Sequence, residues 1–197
     1  MKVPESVLCD IDGVLGDVSV PVVAAINREY GTDYRPEDWS SWEWPMERLA
    51  VLAGLDVPAA AAWLFSIEHV SQSPPLPEAQ HVLRLWSEQG TRINVATSRA
   101  PVQREMTLEW LAKHYPFIDP ENIQVRMDKS IGGAAFKQQQ AERLRPDYYF
   151  EDEGAAIKTL LAVWPENLRA IIQMIDQPWN QGFSELDAYR TNWGAFR

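Results

Sequence analysis

The sequence predicts an α/β fold, a three-layer core on a parallel sheet with a small helical cap inserted after the first strand. Three observations carry this expectation. From residue 78 onward, short apolar runs alternate with amphipathic segments of helical length, the pattern of βα units whose sheet is covered on both faces. Between residues 16 and 77 the text is helical and aromatic and holds no convincing strand. The first apolar run, SVLC at 6–9, ends abruptly on two aspartates, Asp10 and Asp12, followed by Gly13. The expected division is a core of residues 1–15 and 78–197 with a cap at 16–77.

Each element has its own reason. In the cap, Pro21 opens PVVAAINREYG, which closes at Gly31, and Pro45 opens PMERLAVLAG, which closes at Gly54. PAAAAWLFSIEHV follows from Pro58 behind a cap residue at Asp56. After the proline-rich SPPLP at 73–77, EAQHVLRLWSEQG reads as an amphipathic helix ending at Gly90 and RINVA as a strand. PVQREMTLEWLAKH reads as a helix with Val102, Met106, Trp110 and Leu111 on one side. Then come the strand NIQVR, a helix around AAFKQQQAERL stopped by Pro146, the strand DYYF, the helix GAAIKTLLAV and the strand RAIIQMI.

Composition narrows the function. A chain of 197 residues with 46% hydrophobic content has ample material for a packed interior. The net charge of −10 disfavours binding that rests on neutralising many nucleic-acid phosphates, but not binding of one small anion through a metal. Pro4 and Glu5 interrupt any signal-like apolar stretch, and no run approaches the roughly 18 residues of a membrane span. Cys9 is the only cysteine, so no internal disulfide can form and a reducing cytoplasm is expected.

Ligands in open α/β sheets collect beyond the carboxyl ends of the strands, and each expected strand has polar residues waiting there. The first ends in Asp10 and Asp12, RINVA in Thr97, Ser98 and Arg99, NIQVR in Asp128 and Lys129, DYYF in Glu151, Asp152 and Glu153, and RAIIQMI in Asp176. Two adjacent carboxylates repel each other unless a cation holds them. An EF-hand is excluded by Val14 and Pro21, and a C-x5-R phosphatase loop by Leu15. No G-x-G-x-x-G or G-K-S/T is present, which argues against dinucleotide and NTPase chemistry. Blander readings stand beside each residue: a turn at Asp10 and Asp12, a helix N-cap at Thr97 or Ser98, a solvated acidic helix start at Glu151 and Asp152. His69, His81 and His114 lack a zinc spacing and read as packing residues. Trp39, Trp42 and Trp44 form either the core of the insertion or a stacking wall for a nucleobase.

DIDG at 10–13, VATSR at 95–99, Lys137 in AAFKQQQ and FEDE at 150–153 occur in the order of the four motifs of the haloacid dehalogenase-like phosphohydrolases, which the chain resembles over nearly its whole length. DGVLGD, INREYG, PPLPEA, IDQPWN and RTNW are similar to the 5′(3′)-deoxyribonucleotidase-like branch. The resemblance implies a Mg²⁺-dependent phosphomonoesterase acting on (deoxy)nucleoside 5′-monophosphates. Asp10 would be the nucleophile that becomes an aspartyl phosphate and Asp12 the general acid and base. Thr97, Ser98 and Lys137 would hold the phosphoryl oxygens, with Lys129 the competing lysine. Asp10, the Asp12 carbonyl, Asp152 and Glu151, the last through a water, would form the metal site. REMTLEWL with Arg126 and Lys137 also resembles the phosphatase half of polynucleotide kinase-phosphatases, which suggests a 3′-phosphatase on nucleic-acid ends, against which the acidic charge weighs. A non-catalytic nucleotide-binding protein would have no need of Asp12, and a phosphorylated receiver domain no need of the cap.

Overall fold

The structure, a computed structural model, describes residues 3–169 and 171–196. Six strands form one all-parallel sheet: β1 (Ser6–Cys9), β2 (Arg92–Thr97), β3 (Ile123–Val125), β4 (Tyr148–Glu151), β5 (Ile172–Ile175) and β6 (Arg190–Thr191). Their order is β3-β2-β1-β4-β5-β6, so the chain winds one way from β1 to β3 and then crosses back to β4. The strand order therefore reverses beside β1, where open α/β sheets form their ligand crevice. RAIIQMI gives β5, with Ala170 lying outside the described residues. β6 is unforeseen: two residues show no periodicity, and pairing of Met174 with Arg190 and Ile175 with Thr191 defines it.

Alternate residues of β1 face opposite layers. Val7 and Cys9 join Val95, Phe150, Leu83, Trp86, Trp110 and Leu111, under α5 (Pro77–Glu88) and α6 (Arg104–His114). Leu8 joins Tyr149, Ile172, Met174, Ile157 and Leu160 on the other face, under α7 (Gly133–Leu144) and α8 (Gly154–Val163). A short α9 (Glu166–Arg169) precedes β5. Cys9 is fully buried, as a core residue should be. Val102 departs from expectation. Pro101 opens a 3-10 turn ahead of α6, whose tighter winding rotates Val102 out of phase with Met106 and Trp110 and leaves it 74% exposed.

Between β1 and α5 lie four helices, α1 (Ser19–Tyr30), α2 (Trp44–Ala53), α3 (Val57–Leu64) and α4 (Ile67–Val70). Asp56 caps α3 by accepting the Ala59 N–H at 2.7 Å, as expected. The expected single helix from Pro58 is broken at Phe65 and Ser66. This segment has its own apolar cluster, with Val22, Ile26, Trp39, Leu49 and Leu64 fully or almost fully buried. Its two connections run side by side: Asp17 N–H donates to Pro74 and Leu76 N–H to Leu15, at 2.9 and 2.8 Å. Among the described residues no helix is long and apolar enough to cross a membrane.

Candidate active site

β1, β2 and β4 are neighbours, so their C-terminal ends bring Asp10, Thr97 and Glu151 to one place. The Asp10 N–H donates to Phe150 O at 3.0 Å, which keeps the residue aligned with β4 after formal pairing has ended. Gly13 then turns the chain at φ +75°. A Cβ there would fall 2.2 Å from Asp152 Oδ2 and 2.8 Å from Trp179, so conformation and space both require glycine.

Lys137, on the first turns of α7, is buried and donates to Asp10 Oδ2 at 2.9 Å and to Glu151 Oε2 at 2.7 Å. Glu151 Oε2 also accepts the Tyr149 hydroxyl, and Oε1 lies 3.2 and 3.3 Å from the Asp152 and Glu153 N–H groups. The Glu151 carboxylate is thus occupied on both oxygens. Asp10 Oδ1, by contrast, is buried without a hydrogen-bond partner among the described residues. One oxygen each from Asp10, Glu151 and Asp152 lies within 4.8 Å of the others. With all three ionised, these buried carboxylates would carry two negative charges beyond the one Lys137 ammonium that pairs with Asp10 and Glu151.

The electrostatics reflect that excess. Burial pushes the Asp10 carboxyl up to about 7 against the pull of Lys137, with Glu151 and Asp12 adding to the rise. Burial, then the Glu151 and Asp10 charges, holds Asp152 well above the carboxylate range. Burial disfavours the Lys137 charge, but Asp10 and Glu151 override it and its pKa stands well above normal. An all-oxygen cluster with an orphaned carboxylate oxygen and surplus negative charge fits a hard divalent cation.

Asp12 points elsewhere. Arg99 clamps it bidentately, Nε to Oδ2 at 3.0 Å and Nη2 to Oδ1 at 2.6 Å, and Arg99 Nη1 donates to Thr107 Oγ1 on α6 at 3.3 Å. Burial works against the Arg99 charge, yet Asp12 more than offsets it and the pKa rises. Thr97 Oγ1 accepts the Arg99 N–H at 3.3 Å, which leaves its hydroxyl proton free to donate into the cavity. Thr97 caps no helix; Ala100 stands at that position.

A cavity of about 460 Å³ opens above these groups. Its lining includes the polar Asp10, Asp12, Thr97, Ser98, Arg99, Arg126, Lys137, Asp152 and Glu153 and the apolar Trp42, Ala61, Ala62, Phe65, Val70 and Val102. Of the three candidate tryptophans only Trp42 lines it, its ring stacked on Phe65 at 5.7 Å and 18°. Trp39 is fully buried between Trp42 and Trp179, at 5.8 and 5.1 Å. Trp44 is buried edge-on to Tyr34 at 5.1 Å. As stacking surfaces Trp39 and Trp44 are therefore corrected: both rings are spent on packing the insertion. Lys129 is exposed and does not line the cavity, whereas Lys137 does. Asp128 and Asp176 are also outside it, the first in a turn with Ser130 and the second paired with Arg190. His69 is buried, with Nδ1 2.9 Å from Trp63 O.

Three contributors carry no assigned role in the sequence reading. Arg99 stood in view directly after the Thr-Ser pair. Tyr149 is two residues before Glu151 on the same strand face. Trp179, in IDQPWN, donates its indole N–H to Asp152 Oδ2 at 2.7 Å, a contact across 27 residues that no local pattern announces.

Comparison with known proteins fits this geometry. The chain folds like a haloacid dehalogenase family hydrolase from Deinococcus radiodurans R1 with bound phosphate and sodium (17% identity, 100% of this chain and 95% of the other, TM-score 0.60). It also folds like a predicted phosphatase from Clostridium acetobutylicum (14% identity, 97% and 94%, TM-score 0.62). No curated protein sequence matches it. The family model of the 5′ nucleotidase, deoxy (pyrimidine), cytosolic type C proteins matches residues 4–194. With the family model spanning nearly the whole chain, the protein belongs to the 5′ nucleotidase, deoxy (pyrimidine), cytosolic type C family and is a haloacid dehalogenase-like phosphatase.

Proposed function

We propose that the protein is a cytoplasmic, Mg²⁺-dependent phosphomonoesterase that removes phosphate from (deoxy)nucleoside 5′-monophosphates through a phosphoryl-Asp10 intermediate. The observation that carries it is Asp10 Oδ1, which has no hydrogen-bond partner among the described residues and is buried beside Lys137 and Asp152 in a cavity also lined by Trp42 and Phe65. Asp10, Asp152 and the Asp12 carbonyl would hold the ion, with Glu151 behind them. A bound Mg²⁺ supplies the charge that lets a carboxylate approach an anionic phosphoryl group.

Asp10 attacks phosphorus, and the bond to the leaving ester oxygen breaks as Asp12 gives that oxygen a proton. Asp12 then takes a proton from water, whose oxygen displaces Asp10 and releases inorganic phosphate. Arg99 must loosen its grip on Asp12 before that carboxyl can carry a proton. Thr97 and Ser98 donate hydroxyls to the phosphoryl oxygens, and Lys137 adds charge beside Asp10. Residues 16–77 act as the cap that selects the substrate, and Trp42 and Phe65, which both line the cavity, supply the aromatic surface for a base.

Phosphate release across 5′- and 3′-mononucleotides, sugar phosphates and a 3′-phosphorylated oligonucleotide tests this. 5′-Mononucleotides should lead, and added EDTA should abolish turnover. A 3′-phosphorylated oligonucleotide as best substrate would replace the reading with nucleic-acid end processing. Nucleotide binding without release on any substrate would replace it with a binding protein.

A further inference from the structure

The turn after β5 fastens the two acidic strand ends together. Gln177 Nε2 donates to Gly13 O at 2.5 Å, and Asn180 Nδ2 donates to Asp152 O at 2.9 Å and to Ile175 O at 2.8 Å. Trp179 stands between them, 2% exposed, with its indole N–H on Asp152 Oδ2. Asp152 Oδ1 carries no hydrogen bond among the described residues, and Asp152 lines the cavity. The ring of Trp179 is part of the cap's apolar cluster, 5.1 Å from Trp39 at 42° and 6.1 Å from Trp42 at 63°.

We propose that Trp179 is a positioning residue for the metal centre: its N–H fixes Asp152 by one oxygen and leaves the other to a divalent cation, while its ring anchors that carboxylate to the cap wall that holds Trp42. The role rests on the metal reading given above. A neutral N–H is suited to it, because it orients a carboxylate without a cation's charge that would compete with the ion. No other buried donor reaches that oxygen among the described residues. The same arrangement explains why the close approach at Gly13 is kept on two sides, since a side chain there would displace Asp152 and Trp179 together.

Mn²⁺ binding measured by calorimetry on the whole protein, without substrate, tests the role independently of turnover. Trp179→Phe keeps an aromatic ring and removes the donor, and should weaken Mn²⁺ binding by about tenfold or more, the usual effect of losing a group that orients a metal ligand. Site-specific replacement of Trp179 by benzothienylalanine, the same bicycle with sulfur in place of N–H, should weaken binding equally and settles the matter if Trp179→Phe fails to fold. Trp39→Phe, in the same cluster but with an indole N–H that has no partner among the described residues, should bind Mn²⁺ within about twofold of wild type. Wild-type affinity in the benzothienyl variant would overturn the role of Trp179 alone. Mn²⁺ binding that is absent in wild type, or indifferent to Asp152→Asn, would overturn the metal reading and this proposal with it.

Discussion

Replacing Lys137 by methionine keeps a linear side chain of similar length and deletes its charge. The side chain is 4% exposed, and its partners Asp10 and Glu151 are 9% and 0% exposed, so water cannot take over from the ammonium. Removing one member of a buried ion pair costs about 3–5 kcal/mol. Two pairs do not double that figure. One ammonium serves both carboxylates, so its loss is a single event. For a chain of this size about 2–4 °C of melting temperature is lost per kcal/mol, so Lys137→Met should melt roughly 6–20 °C lower in EDTA. Mg²⁺ should recover part of this, since a divalent ion offsets the same surplus charge. Turnover should fall about 10²–10³-fold, the usual worth of a donor aimed at charge that develops in the transition state. Scanning fluorimetry and phosphate release read both, with Lys129→Met as the control. A Lys137→Met variant that melts within about 2 °C of wild type and keeps its kcat/KM would refute the reasoning.

Asp12→Asn should lose turnover on nucleotides by about 10²–10⁴-fold while retaining much of its affinity. The loss should be much smaller on nitrophenyl phosphate, whose leaving group needs no proton, and an equal loss on both would mark a structural role. Trp42→Ala should raise KM for nucleotides about 5- to 150-fold, the equivalent of 1–3 kcal/mol of stacking, with little change for a small phosphate lacking a base. An unchanged nucleotide KM would place base recognition elsewhere. Because burial lifts Asp10 to about 7, and Asp152 is lifted too, the metal-free native state binds more protons than the unfolded chain between about pH 4 and 7. Metal-free stability from these groups is therefore full at low pH and declines as pH rises through that window. Mg²⁺ must displace those protons, so its stabilising increment in melting temperature should grow from pH 5 to pH 8. A flat increment would show that Asp10 and Asp152 do not hold the ion.

The parts of the fold legible in the sequence are those whose signal is periodic. β1 and β4 read as apolar runs and β2 as one interrupted by Asn94, because their centres are buried on both faces, and their helices announce themselves through capping prolines and glycines. β6 is invisible because two residues have no period and exist as a strand only through β5. The break between α3 and α4 is hidden for a related reason: Phe65 and Ser66 sit inside an apolar run, and the helix ends where the chain must turn to meet α6, with Gln103 Nε2 donating to Phe65 O. Tertiary contacts decided that boundary, and propensity did not oppose them.

The site divides along the same line. Asp10, Thr97, Lys137 and Asp152 were legible because each follows a recognisable strand or opens a helix, and strand order then brings them together. The tryptophans were not separable, since a ring that packs a cap and a ring that faces a base have the same composition and spacing; only placement distinguishes Trp42 from Trp39 and Trp44. Arg99 shows what charge totals hide. A net charge of −10 suggests a surface that repels phosphate, yet the cavity gathers Arg99, Arg126 and Lys137 among its carboxylates. Phosphate binding depends on the field inside that cleft, where low dielectric strengthens every charge and where a divalent ion, as proposed above, would add to the three cations against Asp10, Asp12, Asp152 and Glu153, while acidic residues on the outer surface are screened within about 8–10 Å. An acidic chain can therefore still hold a small phosphate tightly while repelling a polyanion, whose many phosphates would extend beyond the cleft onto that acidic surface.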